Sequence, residues 1–356
     1  MSRKDEIRHL WREAFRGDSE EYRSMYFDRI YSDGDAMTLE DQDGRVVSAL
    51  MMQPYGLWFH RTEVPIYYIA GAATRRNSRG HGLMSSLMEQ ALRKAFADGK
   101  MMCALIPAHD WLYFFFDRFG FSTVFLSDTQ RFTSMHAFAG YGDRDYTLVD
   151  DPYSESVYAA FSNYERQRPG GVLHSRRDFL NILDELPFRQ DGTFVAVGRD
   201  DCPVAAMAWA VGAGEIVQVN ELLGVDDDAR LAAMRALRQR FPNRPFRYLA
   251  PVEAPGHRHL YSRGMARIIN VEQCLAAVAK ENPEWRCDIR VHDPLIDANC
   301  GSWRVADGVC SSDASLRRFD LDVTIDVFSR IVFSSPEIGG ILGFPSQRTH
   351  ISLMPH

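Results

Sequence analysis

The amino-acid sequence predicts a mixed α+β (α/β) protein made of two or three units. Its 356 residues are too many for one ordinary hydrophobic core. Within residues 65–99, an apolar strand, a glycine-containing loop and an amphipathic helix follow one another. Residues 150–280 faintly repeat the same order of strands and helix. Strands and helices in this alternation are typical of layered α/β domains.

The first elements are helical and are followed by an antiparallel meander. A helix is predicted at the N-terminus because four apolar residues share one helical face: Ile7, Leu10, Trp11 and Ala14. Aspartate and glycine at 41–44 favour a tight turn between strands at 36–40 and 45–52. A separate strand is predicted at about 57–61.

The most informative segment joins the next strand to a helix. Residues 65–73 are apolar, and residues 83–96 show helical spacing that ends at Gly99. Between them lies the sequence Arg79-Gly80-His81-Gly82-Leu83-Met84. A glycine-containing turn that opens a helix presents free backbone N–H groups at the positive end of the helix dipole. The sequence therefore predicts capture of an anion such as a pyrophosphate here.

This segment is part of a longer pattern. After the helix come an apolar strand and a short aromatic helix that ends on Arg118-Phe119-Gly120-Phe121. The whole order resembles the acyl-CoA core of the GCN5-related N-acetyltransferases (GNAT). Over nearly its full length the chain resembles the enhanced-intracellular-survival (Eis) type, although the sharp motifs are confined to residues 65–121. Such proteins join two GNAT-like domains to a domain like the sterol carrier proteins.

The resemblance implies a domain organisation. It places a CoA-binding GNAT domain at 1–148, a degenerate GNAT-like domain at 149–280 and a sterol-carrier-like domain with a C-terminal tail at 281–356. The second domain is degenerate because three aspartates at 226–228 stand where the first has its glycine loop, and they repel a pyrophosphate. Homo-oligomers are common in the type that the chain resembles, so a homo-oligomer is expected.

The resemblance also implies the cofactor contacts. In this fold, the strand before the loop splays from its neighbour, and the backbone of Ala72, Ala73 and Thr74 would contact the pantetheine of acetyl-CoA. Tight packing of a core strand explains the same alanines. The residues that would hold the pyrophosphate are Arg79, Gly80, His81, Gly82, Leu83 and Met84. Met84 replaces a small family residue and can serve if its side chain points away.

Two groups are implied in proton transfer. Many family members have a tyrosine four residues before the glycine of R-F-G-F, but this chain has Phe116, which has no proton to donate. Tyr113, three residues earlier, shares its helix face and is the candidate acid; a packing role is the alternative. In the Eis type the C-terminal carboxylate, here that of His356, is a second catalytic group. Simple docking of the tail is the alternative for His356.

Composition limits the partners and the compartment. The net charge of −7 argues against nucleic acid, and no segment has the roughly 18–20 apolar residues that cross a bilayer. The N-terminus lacks an apolar signal core, and the six scattered cysteines fit reduced thiols. We therefore expect a cytoplasmic protein. No metal is expected, because His257 and His259 lack an identifiable third ligand.

The function expected from these observations is acetyl-CoA-dependent N-acetylation of a small cationic amine, by direct attack of the amine on the thioester. Two other classes stay open. A non-catalytic CoA-binding or regulatory protein would follow from Phe116. A carrier of hydrophobic ligands would use an apolar cavity beyond residue 281.

Overall fold

A computed structural model describes residues 2–139, 145–252 and 260–355. Its α-helices are α1 Arg3–Ala14, α2 Glu20–Met25, α3 Leu83–Ala97, α4 Asp110–Asp117, α5 Glu155–Gln167, α6 Arg176–Glu185, α7 Asp227–Arg240, α8 Val271–Glu281, α9 Ile325–Val332 and α10 Pro336–Ile341. A π-helical turn spans Tyr26–Ile30, and 3₁₀ turns span Arg76–Ser78, Leu186–Phe188 and Asp297–Asn299. Within the described ranges, no helix is both long and apolar enough to cross a membrane.

The strands of the first half are β1 Ala36–Glu40, β2 Val46–Phe59, β3 Thr62–Thr74, β4 Met102–Leu105, β5 Ser122–Phe132, β6 Thr147–Leu148, β7 Val172–Leu173 and β8 Thr193–Arg199. Those of the second half are β9 Cys202–Ala213, β10 Ile216–Gly224, β11 Phe246–Pro251, β12 Leu260–Ile268, β13 Cys287–His292, β14 Gly301–Ala306, β15 Val309–Ser312 and β16 Leu321–Thr324. The predicted mixed α/β fold is confirmed.

Twelve of these strands form one sheet and the last four form another. The large sheet has the order β1-β2-β3-β4-β12-β5-β11-β10-β9-β8-β6, with β7 paired to β2. The small sheet has the order β15-β14-β13-β16. The large sheet crosses the proposed boundary at 148/149 without interruption, and that boundary stays a prediction.

The position of β12 connects distant parts of the chain. β12 lies between β4 and β5 and is antiparallel to both, with Ala266 opposite Ala104 on one side and Ser122 on the other. β5 also pairs with β11, where Phe132 lies opposite Phe246. Strands from both halves of the chain therefore complete the middle of the sheet.

The chain makes one local arrangement twice. An antiparallel pair leads through a helix to a parallel strand, first as β2–β3–α3–β4 and then as β9–β10–α7–β11. β3 pairs in parallel with β4, and β10 pairs in parallel with β11. The faint repeat in the sequence therefore corresponds to a repeat of strand order.

Two hydrophobic cores cover the faces of the first half of the sheet. On one face the core contains Ile7, Leu10 and Trp11 of α1, so the predicted apolar face of this helix is buried. On the other face α3 and α4 cover a core that includes Leu87 and Phe116. Burial of these apolar side chains supplies most of the driving force for folding.

The predicted separate strand at 57–61 is wrong, because Leu57–Phe59 continue β2. Pro54 does not interrupt β2, since β1 pairs only as far as Met51 and leaves one edge of β2 open at that point. The chain turns instead at His60 and Arg61, whose φ angles are +43° and +54°.

Candidate active site

The first candidate site begins where β3 and β4 separate. Their parallel pairing ends with Ile69 opposite Leu105, whereas β3 continues to Thr74 with β2 on one side. Ala73 lies opposite Ala49 and Ala70 opposite Met51, so β3 has one extra residue in this stretch. Such a bulge bends the strand. The opening between residues 70–74 and the end of β4 is called the first wedge below.

Gly71 fixes the bulge. Its φ is +59°, in the left-handed region that favours glycine. A Cβ atom there would lie 2.3 Å from a ring carbon of Trp11, so no larger residue fits without movement of that indole. Trp11 is held in place by a hydrogen bond of 2.7 Å from its Nε1 to Asp18. The N-terminal helix therefore helps to set the shape of the first wedge.

The three residues predicted to contact pantetheine lie along this edge. Ala73 is buried and Ala72 is half-buried. The Thr74 hydroxyl is 3.0 Å from that of Ser48, and the Thr74 carbonyl accepts a hydrogen bond of 3.0 Å from Nε of Arg79. The side chains at 72 and 73 add little bulk beside the backbone, and the Ala73 carbonyl accepts a hydrogen bond of 3.3 Å from the Ser48 hydroxyl.

The predicted anion loop opens α3. Gly80 and Gly82 have φ angles of +82° and +75°, and a Cβ atom on either would meet nothing within 4 Å. The first hydrogen bond of the helix runs from the Ser86 N–H to the Gly82 carbonyl, at 2.9 Å. Among the described residues, none accepts a hydrogen bond from the N–H groups of Leu83, Met84 or Ser85. The loop therefore presents open backbone donors.

Side chains at the loop leave those donors uncovered. Met84 packs against the core below α3, so its side chain points away from the loop. The first turn of α3 has no acidic residue. Arg79 and His81 are exposed, and within the described ranges Arg79 forms no ion pair. The positive end of the helix dipole is therefore not neutralised locally.

The other two arginines of the loop have structural contacts. Arg75 donates to the Val46 carbonyl at 2.7 Å and pairs with Glu6 at 2.8 Å. The Arg76 backbone N–H donates to Glu13 at 2.7 Å. These contacts tie the loop to α1. They occupy the Arg75 guanidinium but not the exposed guanidinium of Arg76, which stands available beside that of Arg79.

The corresponding helix of the second half is different. Asp226 accepts a hydrogen bond of 2.8 Å from the Ala229 N–H at the start of α7. Asp227 and Asp228 follow directly, so the first turn of α7 carries its own negative charge. A phosphate would be repelled there.

Tyr113 lies near the first wedge and Phe116 does not face it. Phe116 is buried against Phe121, so it belongs to the core. The Tyr113 hydroxyl donates a hydrogen bond of 3.2 Å to the Ser262 carbonyl, in the part of β12 that continues beyond the end of β4. Partial burial, followed by the nearby phenol of Tyr261, raises the pKa of Tyr113. Its hydroxyl is therefore protonated at neutral pH.

The C-terminal tail packs inside the protein up to Pro355. The His350 N–H donates to the Gly170 carbonyl at 2.8 Å, and the His350 carbonyl accepts from Val172 at 3.2 Å. Ile351 and Met354 are buried in the same core as Trp11. The candidate residue His356 lies outside the described residues.

Sequence reasoning missed a polar cluster on the sheet face opposite α3. Gln53 donates a hydrogen bond of 3.1 Å to the Tyr26 hydroxyl, and burial raises the pKa of Tyr26, Tyr55 and Tyr68. Nη1 of Arg263 is buried without a hydrogen-bond partner in the described part of the chain. The sequence signal that could have revealed this cluster is a polar residue, such as Gln53, within an otherwise apolar strand.

No group of three metal-ligating side chains is close enough to hold a metal ion within residues 2–139, 145–252 and 260–355. The candidates His257 and His259 lie outside these ranges.

Comparisons with known proteins agree with this geometry. The model of the acetyltransferase (GNAT) domain family matches residues 2–124. A probable N-acyltransferase from Enterococcus faecalis V583 is 14% identical and superposes with a TM-score of 0.79 over 99% of this chain and 97% of that one. This chain has the GNAT acetyltransferase fold.

Two further structures share the overall fold of this chain over nearly its whole length. A GCN5-related N-acetyltransferase from Anabaena variabilis is 14% identical, with a TM-score of 0.79 over 99% of this chain and 97% of that one. Eis1 from Mycobacterium abscessus is 16% identical, with a TM-score of 0.74 over 96% of this chain and 91% of that one. A comparison with curated proteins gave no significant match.

Proposed function

We propose that the protein is an acetyl-CoA-dependent N-acetyltransferase that acetylates a primary amine of a small cationic acceptor. The observation that carries the proposal is the start of α3, where the N–H groups of Leu83, Met84 and Ser85 have no acceptor among the described residues. Open, aligned donors at a helix N-terminus suit a pyrophosphate. The match of residues 2–124 to the GNAT domain model supports the same proposal.

The residues around the first wedge fit acetyl-CoA. The backbone of Gly80, His81, Gly82, Leu83 and Met84 would hold the pyrophosphate, and the Arg79 guanidinium would add charge. Ala72, Ala73 and Thr74 would hold pantetheine through their backbone groups. Acetyl-CoA supplies the acetyl thioester and the thiolate leaving group.

Tyr113 is proposed as the group that protonates the departing thiolate. It is the only hydroxyl-bearing side chain of α4, and its raised pKa keeps that hydroxyl protonated. The C-terminal carboxylate of His356 is proposed to accept the proton that the amine loses. The burial of Ile351 and Met354 supports a tail that enters the protein.

The acceptor would approach from the face that carries Tyr26, Gln53 and Tyr68, opposite α3 and α4. These side chains offer hydroxyl and amide groups inside an otherwise apolar core. Glu185 acts electrostatically on Tyr26 and Tyr68 from the same side, but it is ion-paired with Arg189, so the cationic character of the acceptor does not rest on it.

We also propose tandem GNAT-like domains at 1–148 and 149–280 and a sterol-carrier-like domain at 281–356. Supporting observations are the repeated arrangement β2–β3–α3–β4 and β9–β10–α7–β11, and the separate sheet β15-β14-β13-β16. The homo-oligomeric state and cytoplasmic location stay predictions.

A second candidate is a non-catalytic CoA-binding protein. Phe116 favours it, because the position where many relatives have a proton-donating tyrosine holds a buried phenyl ring. This protein would bind acetyl-CoA without turnover.

Calorimetric titration with acetyl-CoA, followed by a thiol-release assay with polyamines, aminoglycosides and lysine peptides, tests both candidates. Saturable binding with amine-dependent thiol release is expected. Binding without release for every amine would favour the non-catalytic candidate, and failure to bind acetyl-CoA would overturn both.

A further inference from the structure

A cavity of about 1500 Å³ lies between the second half of the large sheet and the C-terminal segment. One wall is formed by the end of β10 and the start of α7, and another by β5 and β11. Trp285 and residues 343–348 close the opposite side. Ligand pockets for small molecules typically have volumes of roughly 300–1,000 Å³, so this cavity is large enough for one.

The cavity occupies a second wedge, defined by residues 220–224 of β10 and residues 249–251 of β11. Parallel pairing of these strands ends with Val219 opposite Tyr248. β10 then has an irregularity between Val219 and Glu221 in its pairing with β9. The first wedge likewise combines an end of parallel pairing with a bulge. The cavity therefore lies at the start of α7, in the same relative position that the first wedge has at the start of α3.

The chemistry of the second wedge differs from that of the first. Asp226 already accepts a hydrogen bond from the first turn of α7, and Asp227 lies at the rim of the cavity. The start of α3 has glycines and open N–H groups, whereas the start of α7 has these carboxylates. The electrostatics here disfavour phosphate and sulfonate groups.

The arginines that line the cavity already have acceptors. Arg168 makes two hydrogen bonds of 2.8 Å to Glu221. Arg230 donates to the Gly224 carbonyl at 2.9 Å and pairs with Asp227. Arg348 donates to the Val252 carbonyl at 3.1 Å. An anionic ligand would have to compete with these contacts.

Apart from the acidic side chains of Asp128 and Glu337, the remaining lining is apolar or uncharged at neutral pH. Its large apolar side chains include Phe132, Leu222, Leu231, Tyr248, Trp285 and Phe344. Its amides are Gln130, Gln167, Asn282 and Gln347. Such an apolar lining can bury the hydrophobic part of a ligand, and a few amides can hydrogen-bond to one polar group of that ligand and orient it.

We propose that this cavity is a second ligand site, separate from the first wedge, for an uncharged amphiphile with an apolar body and a hydrogen-bonding group. The site goes beyond the proposed acetyl transfer and does not depend on it. It also differs from a carrier cavity within residues 281–356, because β5, β10, β11 and α7 all contribute to its walls.

Two fluorescent probes with one frame test the charge preference of the site. N-phenyl-1-naphthylamine is uncharged, and 8-anilinonaphthalene-1-sulfonate carries the same rings with one sulfonate. We expect saturable binding of the neutral probe to the full chain and binding at least about tenfold weaker for the sulfonate. Equal or tighter binding of the sulfonate would overturn the uncharged class.

Two substitutions locate the probe. Val225 is 45% exposed at the rim, so Val225→Trp narrows the entrance without disturbing the core. Leu231→Trp fills the half-buried wall. Either variant is expected to raise the dissociation constant of the neutral probe about tenfold or more. Leu148→Trp, at a position that is 60% exposed and outside the cavity lining, is the matched control.

Competition with acetyl-CoA separates this site from the first wedge. Saturating acetyl-CoA is expected to leave the affinity of the neutral probe unchanged, and Val225→Trp is expected to bind acetyl-CoA as the unsubstituted protein does. The proposal is overturned if acetyl-CoA displaces the probe, if the probe does not bind saturably, or if Val225→Trp and Leu148→Trp bind it equally.

Discussion

The hydroxyl of Tyr113 donates a hydrogen bond of 3.2 Å to the backbone carbonyl of Ser262. This contact joins α4 to β12 beside the first wedge, so Tyr113 is both a structural link and the candidate acid. Loss of the Tyr113 hydroxyl would remove one hydrogen bond, worth about 1 kcal/mol, and one proton donor.

Tyr113→Phe is therefore expected to lower turnover by about 10²-fold or more, because a positioned general acid contributes that much. The dissociation constant for acetyl-CoA should change little. Steady-state kinetics and calorimetry measure the two effects. Tyr261→Phe is the control, since Tyr261 is a neighbouring exposed phenol; if it alone lowered turnover, the acid would be Tyr261.

A matched pair of glycine substitutions tests the anion loop. Gly82 and Gly99 flank α3 with φ angles of +75° and +69°, and neither has an atom within 4 Å of an added Cβ. Glutamate at either position carries the same backbone strain, of about 1–2 kcal/mol.

Gly82→Glu also puts a negative charge beside the free N–H groups, so its dissociation constant for acetyl-CoA should rise about tenfold or more. Gly99→Glu should lower stability similarly and leave binding intact. Calorimetry with thermal denaturation separates these effects, and equal affinities in the two variants would show that the loop does not hold the phosphates.

The role of the C-terminal carboxylate can be tested without removing the tail. One glycine added after His356 moves the carboxylate by a residue and leaves Ile351 and Met354 to pack. If this carboxylate accepts the amine proton, turnover should fall by about 10²-fold or more. His356→Gly keeps a carboxylate at the same chain position and is expected to retain most activity. Unchanged turnover in the extended protein would rule out the carboxylate as the base.

Acid should destabilise the protein through two buried histidines. Burial, with Arg168 nearby, lowers the pKa of His350 from 6.5 to about 4, and burial lowers the pKa of His60 from 6.5 to about 4. Between pH 6.5 and about pH 4, both histidines are protonated in the unfolded chain and neutral in the folded protein. The contribution of these histidines to the free energy of unfolding should therefore be constant above about pH 6.5. It should fall as the pH approaches 4, by on the order of 3 kcal/mol for a fully buried histidine such as His350.

Melting temperatures at about pH 5 and about pH 7.5 measure this loss. His350→Gln should reduce the difference between the two temperatures, and the double variant with His60→Gln should reduce it further. Glu221, 3.6 Å from Nε2 of His350, opposes the effect by favouring protonation. An undiminished difference in the double variant would assign the acid sensitivity to other groups.

A buried ion pair joins the two sheets. Nη2 of Arg267 lies 2.6 Å from Oδ1 of Asp293, and both side chains are fully buried. Asp293→Ala leaves the guanidinium without its counter-ion and should lower the free energy of unfolding by about 3–5 kcal/mol. Asp322→Ala breaks exposed pairs in the same small sheet and should cost less than about 1 kcal/mol. Denaturant unfolding compares them, and similar losses would contradict this assignment.

Local sequence signals predicted α3 and the glycine loop before it well. The spacing at 83–96 and Gly99 placed α3 almost at its observed bounds, and the glycines marked the positive φ angles of the loop. These features depend on residues close together in the chain, where periodicity and backbone preference are informative.

Distant pairing could not be predicted in this way. Met265 of β12 lies opposite Leu105 of β4, but nothing in the sequence of either strand indicates that the two strands pair. The pairing of Gln53 with Tyr26 is equally non-local. The polar cluster and the cavity of the second wedge depend on such contacts, so a single sequence does not reveal them.

The insertion of β12 between β4 and β5 also sets an order of events during synthesis. A ribosome releases the chain from its N-terminus, so the first wedge lacks its neighbouring strand until residue 268 has emerged. Until then β4 and β5 present backbone edges that can pair with other chains. If the first wedge holds acetyl-CoA as proposed, binding by a nascent chain requires about three quarters of the protein to have been made, and a gene truncated after residue 148 would encode an aggregation-prone fragment.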